Sequence, residues 1–358
     1  MKKKLFSIAL ILALALSLLA GCSGKPVVNQ PSKNPENSPS ASTPVASEPV
    51  NEAVPVKTGL SMITSVSKSK DATEEKDGQA QTNIALVAVT VDDNGVIDSC
   101  VIDAIQVKIG FSAAGALTTD TAAEFASKNE LGEDYGMKKA SSIEKEWNEQ
   151  AAAMAAYAVG KTVDEIKGIA VNENGAPADA DLAASVTLSI GEFLEGIEAA
   201  VNNAAHLGAQ KGDELALTSV TSISKSKDAT ADKDGRAQAY ATVAVVTLNG
   251  STVTSCYIDA VQANVDFNTS GVIVSDLEAA IASKNELGEN YGMGKASSIG
   301  KEWNEQAAAF CAYVTGKTLA EVVGIAVNES GAPADADLAA SVTIGIGEFQ
   351  TLIGKAAQ

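Results

Sequence analysis

The chain repeats itself, and that restricts its fold more than any other feature. Residues 168–187 read Gly-Ile-Ala-Val-Asn-Glu-Asn-Gly-Ala-Pro-Ala-Asp-Ala-Asp-Leu-Ala-Ala-Ser-Val-Thr, and residues 324–343 differ only where Asn174 becomes Ser330. Ser67 to Thr73 recurs unchanged as Ser224 to Thr230, and Lys128 to Met137 recurs with one change as Lys284 to Met293. The offset from Thr187 to Thr343 is 156 residues, the length of a domain and far more than a solenoid unit. The expected organisation is therefore one domain built twice, over 58–205 and 214–358. The linker 206–213, His206-Leu-Gly-Ala-Gln-Lys-Gly-Asp213, is polar, contains glycine and holds the only histidine. A single histidine in a linker reads as an exposed side chain and not as a catalytic base.

What precedes the first copy reads as targeting and spacing. Lys2, Lys3 and Lys4 lead into an apolar run from Leu5 to Leu18, which Leu19-Ala20-Gly21-Cys22 closes with small residues. This close resembles a bacterial lipobox. The resemblance implies a signal peptide over 1–22, cleavage before Cys22, and acyl chains on Cys22 that hold the protein on the outer side of the cell membrane. Residues 23–57, rich in Pro and Ser and without aromatic side chains, cannot bury enough apolar surface to offset their ordering entropy and read as a disordered tether. A net charge of −19 repels polyanions and so argues against nucleic acid as a partner. Besides Cys22 there are Cys100, Cys256 and Cys311, an odd number with no CxxC pair. They read as buried, unreactive thiols in preference to a bridge between the copies, and no metal site is indicated.

Within each copy the pattern predicts strands and then helices, an α+β fold with an antiparallel sheet and helices packed on it. Ile63–Ser67, Asn83–Asp92 and Val96–Ile109 are rich in aliphatic and β-branched residues, with Asp93-Asn94-Gly95 as a hairpin turn; Asn249-Gly250 is its counterpart. A helix capped by Ser141 or Ser142 is expected to carry Ile143, Trp147, Ala151, Met154 and Ala158 as far as Gly160, with Ile299, Trp303, Ala307, Phe310 and Val314 as the matching stripe. Thr162–Lys167 reads as a short helix, 168–171 as a strand-like connection, and a last helix starts at Gly191.

The chemistry-bearing candidates are few. Neither copy holds a histidine, a Gly-rich phosphate loop or a serine placed at a nucleophile elbow, so hydrolysis by a dyad or triad is not expected. What recurs is a hydroxyl beside a carboxylate: Asp181-Leu-Ala-Ala-Ser-Val-Thr187 and Asp337-Leu-Ala-Ala-Ser-Val-Thr343. The small residues between them let another protein's active site reach the backbone. Ser185 and Ser341 are rival hydroxyls, because they lie six residues after Asp179 and Asp335. A purely structural reading makes Ala-Ser-Val-Thr a half-buried strand.

This motif resembles the Asp-x-x-(Ser/Thr)-Gly-Ala-Thr signal of FMN-binding domains. Asp181, Thr187, Asp337 and Thr343 match its ends, while Ala184, Ser185 and Val186 replace its usual middle. The lipobox and tether strengthen the likeness, and the repeated Glu-Leu-Gly-x-x-Tyr-Gly-Met and Lys-Glu-Trp-Asn-Glu-Gln-Ala segments extend it over nearly all of 57–358. The chain is thus similar to flavinylated surface lipoproteins of Gram-positive bacteria. That resemblance implies FMN held by a phosphoester to Thr187 and Thr343, put there by a flavin transferase that uses FAD and a divalent metal. It also implies an electron-transfer carrier more than an enzyme, relaying electrons from a membrane quinone reductase to extracellular acceptors such as ferric iron. Tyr135, Met137, Tyr291 and Met293 could wall the flavin ring, Trp147 and Trp303 stack on it or pack in the core, and Lys128 and Lys284 meet its charge. The alternative is a non-redox surface lipoprotein with two small-molecule-binding or adhesive modules.

Overall fold

Two three-stranded antiparallel sheets organise the computed structural model, which describes residues 53–357. The leader, Cys22 and the tether as far as residue 52 lie outside the described residues. The first sheet has the order β1 (Lys57–Ser65), β2 (Gly78–Val91), β3 (Ile97–Phe111), and the second β4 (Glu214–Ser222), β5 (Gly235–Asn249), β6 (Thr252–Phe267). Helices follow each sheet: α1 (Lys128–Leu131), α2 (Trp147–Ala158), α3 (Val163–Lys167), α4 (Ala180–Ala183) and α5 (Gly191–Asn202), then α6 (Lys284–Leu287), α7 (Trp303–Val314), α8 (Leu319–Val323), α9 (Ala336–Ala339) and α10 (Gly347–Lys355). The fold is mixed α and β with segregated strands and helices, as the α+β reading expected.

Hairpin chemistry fixes the strand register. Asp92 Oδ1 accepts the Asn94 and Val96 amides, closing the β2–β3 turn through Gly95. In the second half Asn249 pairs with Thr252, so the loop is Gly250-Ser251, one residue later than the predicted Asn249-Gly250. The strand β1 begins at Lys57, ahead of the expected Ile63, because Leu60 and Met62 alternate with small residues and already face the core.

The strands are buried on both faces. Ile84, Leu86 and Ala88 of β2 join Ile105 and Val107 of β3 in a core that also contains Ala241, Val243, Val245 and Val261 of the other sheet. The alternate residues Val87 and Val89 pack on Trp147, Met154, Phe193 and Ile197 of α2 and α5. Likewise Ala244 and Val246 pack on Trp303, Phe310 and Phe349 of α7 and α10. The layers therefore run helix, sheet, sheet, helix. Central strands in such a stack read as near-continuous apolar runs, which is what β2 and β5 are.

The contacts across the sheet–sheet interface come in matched pairs. Phe111 and Phe267 stack at 4.3 Å with an interplanar angle of 7°. The Ala72 amide donates to the Gly271 carbonyl at 2.8 Å and the Ala229 amide to the Gly115 carbonyl at 2.7 Å. Asp71 accepts the Ile273 amide and Asp228 the Leu117 amide, both at 2.7 Å. This reciprocity is that of an isologous interface. It gives the repeated Ser-Lys-Ser-Lys-Asp-Ala-Thr segments their role, since Asp71 and Asp228 lie within them. A Cβ at Gly115 would stand 2.7 Å from the Ala229 Cβ, and one at Gly271 2.6 Å from the Ala72 Cβ, so neither position admits a side chain.

Two expectations about the connecting segments change. Residues 53–57 are structured: Val56 is 1% exposed and its amide donates to the Ala209 carbonyl. The linker 206–213 is fastened as well. Its Asp213 carboxylate accepts the Thr254 hydroxyl at 2.6 Å and the Gln210 amide at 2.8 Å, and His206 Nε2 meets Asp93 at 3.0 Å. Its polar side chains bond β6 and the β2–β3 turn, and its backbone pairs with residues 54–56, so it is fastened at several points.

Candidate functional site

The site grows from the first turn of α2. The stripe through Ile143 suggested a helix capped by Ser141 or Ser142, yet α2 starts at Trp147 and is capped by Glu146. The Glu146 amide donates to Glu149, so the two glutamates close a capping box. Glu146, 3% exposed, also accepts the Met137 and Lys138 amides at 2.8 and 3.0 Å, which folds the loop after the 3-10 turn Gly132–Tyr135 against the helix. Ser141 is used differently: its hydroxyl oxygen accepts hydrogen bonds from the Ile143 and Lys145 amides and from Gln150 Nε2.

Gln150, one turn further along and fully buried, ties the motif together. Its Nε2 donates to Ser141 Oγ and the Lys145 carbonyl, and its Oε1 accepts both the amide (2.8 Å) and the hydroxyl (3.1 Å) of Thr187. In the second half Gln306 does the same for Thr343, at 2.8 and 3.2 Å, and bonds Ser297 and the Lys301 carbonyl. Each threonine is half-buried at the end of a turn that Asp179 or Asp335 starts. Asp179 caps α4 by accepting the Asp181 and Leu182 amides, and Asp335 caps α9 in the same way. Val186 and Val342, each 0% exposed, anchor the chain just before the threonine.

Ala-Ser-Val-Thr is therefore a helix-ending turn, and the strand reading of it is overturned. Asp181 and Asp337 are exposed, and the described hydrogen bonds join neither to its threonine. Ser185 and Ser341 are half-buried, with amides that close the turn onto Leu182 and Leu338.

At the first residue of each of these helices, Trp147 or Trp303, a lysine packs among aromatic rings. Lys128 Nζ stands 4.7 Å from the Tyr135 ring centre and 4.6 Å from that of Trp147. Lys284 Nζ stands 4.7 Å from Tyr291 and 4.6 Å from Trp303, and adds Tyr240, whose hydroxyl it meets at 3.0 Å. Asn83 takes the place of Tyr240 in the first half, where a cavity of about 150 Å³ opens beside Lys128, Asn83 and Glu192. Burial pulls the Lys284 amine down to about 8, against the opposing charges of Glu348 and Asp259. Tyr135, Met137, Tyr291 and Met293 are half-buried against the same helical cores, and Trp147 and Trp303 are core residues that make edge contacts to Phe193 and Phe349.

Four residues of this arrangement escaped the sequence reading: Gln150, Gln306, Asp103 and Asp259. The glutamines lie inside the repeated Lys-Glu-Trp-Asn-Glu-Gln-Ala segment, three residues after the tryptophan and so on its helix face. Asp103 and Asp259 are buried at the ends of Val-Ile-Asp and Tyr-Ile-Asp, and they accept the Asn129 and Asn285 amides at the start of α1 and α6. Burial pushes both carboxyls up to about 6.

Comparison with protein-family models, characterised proteins and solved structures found no match. The reading of the site accordingly stands on its own geometry. That geometry presents one half-buried hydroxyl per half, held by a buried glutamine on a helix whose first residue, a tryptophan, meets a lysine.

Proposed function

We propose that the chain is a membrane-anchored extracytoplasmic flavoprotein, two tandem copies of an FMN-binding-like domain that carry FMN as phosphoesters of Thr187 and Thr343. In this reading it relays electrons from a membrane quinone pool to extracellular acceptors such as ferric iron. The observation that carries the proposal is the pairing of each threonine with a buried glutamine, Gln150 or Gln306, on a helix whose first residue meets a lysine–aromatic cluster.

The residues fit an anionic ring-bearing group. Thr187 donates its hydroxyl proton to Gln150, which aims the oxygen's remaining lone pairs outward. If a transferase bound there, Thr187 Oγ would bond to the flavin phosphorus of FAD, AMP would leave and the hydroxyl proton would pass to a base of the transferase or to water. The Thr187 amide keeps its bond to Gln150 afterwards, so the ester stays on a fixed backbone. Lys128 and Lys284 offset negative charge, while Tyr135, Tyr291, Met137 and Met293 offer polarisable surface. When bound, the flavin supplies the redox centre.

Peptide mass spectrometry on protein made with an active flavin transferase tests this. FMN adducts on the Thr187 and Thr343 peptides are expected, each lost alone in Thr187→Ala or Thr343→Ala. Unmodified peptides and a colourless protein would reject the carrier and leave the non-redox binding module, which the cavity of about 530 Å³ in the second half favours.

A further inference from the structure

The second half contains a feature that the first lacks. Cys256 on β6 and Cys311 on α7 point at one another beneath the helical layer, with sulfurs 3.2 Å apart and both side chains buried. The pair lies within one half, unlike the bridge between copies weighed from sequence. In the first half Cys100 occupies the place of Cys256, but Ala155 stands where Cys311 does, so a thiol faces a methyl group. The sequence has thus placed a second sulfur at the one position where it touches the first.

Two thiols in van der Waals contact need a movement of about 1 Å to reach the bond length of a disulfide, roughly 2.05 Å. The elements that carry them are held independently: Cys256 is paired with Val246 in the sheet, and α7 is anchored by the Glu302 cap and Gln306. Access exists, because both cysteines line the cavity of about 530 Å³ beside Tyr257, Asn304 and Leu207. The hydrogen bond to Cys311 and burial together push the Cys256 thiol well above its ordinary value. Reactions that need the Cys256 thiolate are therefore slow.

We propose that Cys256 and Cys311 form an intramolecular disulfide that staples β6 to α7, while Cys100 remains a free thiol. The two thiols give up two protons and two electrons and gain one S–S bond. The electrons reduce the disulfide of a thiol–disulfide exchange partner to two thiols, by way of a mixed disulfide. The oxidising compartment is the one assumed above, but the chemistry does not involve the flavin.

The test is alkylation and peptide mapping of the full chain after incubation with oxidised glutathione or with dithiothreitol, followed by denaturation. The oxidised sample is expected to yield a cross-linked peptide pair containing Cys256 and Cys311, lighter by two hydrogens than the separate thiol peptides, with Cys100 alkylated. Its melting midpoint should rise by roughly 5 °C over the reduced sample. Cys311→Ala, which copies the first half's own Ala155, should show neither effect and leave Cys256 alkylatable. Full alkylation of all three thiols after oxidant, a persistent glutathione adduct on Cys256, or a cross-link to Cys100 would overturn the proposal. Flavin adducts are read on other peptides of the same digest, so failure of one proposal does not mimic failure of the other.

Discussion

Gln150 satisfies two polar groups of Thr187 with one oxygen and two further groups with its nitrogen, so its removal strands several partners at once. Gln150→Ala is expected to cost about 2–3 kcal/mol in urea unfolding and to depress modification at Thr187 while sparing Thr343. The buried aspartates set a pH dependence. Asp103 and Asp259 hold their protons up to about 6 in the folded chain, against about 3.9 when unfolded. Their contribution to stability is complete below about pH 4 and is lost as the pH rises through about 6. Urea midpoints from acid to neutral pH should show that fall, and Asp103→Asn with Asp259→Asn should flatten it. At this scale the repeated motif was legible in sequence, because it recurs at a fixed offset. The aspartates and glutamines were not, because burial and partners 26 or 37 residues away decide their roles.

At the scale of elements, the helix α2 illustrates why periodicity alone misplaced a boundary. Ile143 continues the stripe of Trp147 and Ala151, yet the intervening residues are spent on turns around the Ser141 hydroxyl. Glu146 is the stronger cap, since one carboxylate takes amides from the preceding loop while its own amide is met by Glu149. Glu146→Ala should cost about 2–4 kcal/mol and loosen the Tyr135–Met137 loop, seen as faster amide exchange at Met137 and Lys138. Glu146→Gln should recover part of the loss, because one carboxamide oxygen can still accept. Hairpins and the short helix α3 were readable because their signals are local: an Asp-Asn-Gly turn, and a Thr162 cap answered by Glu165.

Across the whole molecule, sequence could count the halves but could not say what covers their inner faces. An apolar strand carries no label for its partner, and the second sheet lies over 100 residues away in the chain. Residues 53–205 alone would expose Leu60, Ile84, Leu86 and Ile105 to water. That fragment is expected to run as a dimer, or to precipitate, in analytical ultracentrifugation, whereas residues 53–358 without the leader are expected to run as a monomer. Stability of the two halves is coupled, and a lesion on either inner face, such as Gly115→Ala, should lower a single shared transition.

The back-to-back sheets have a further consequence. They turn the two helical layers outward in opposite directions, separated by three layer spacings of about 10 Å each. Thr187 and Thr343 ride on those opposite layers, so the molecule is two-sided, like a coin with a mark on each face. A partner arriving at one mark does not crowd a partner at the other. On the proposed redox reading, the two carriers would stand on opposite faces with both sheets between them.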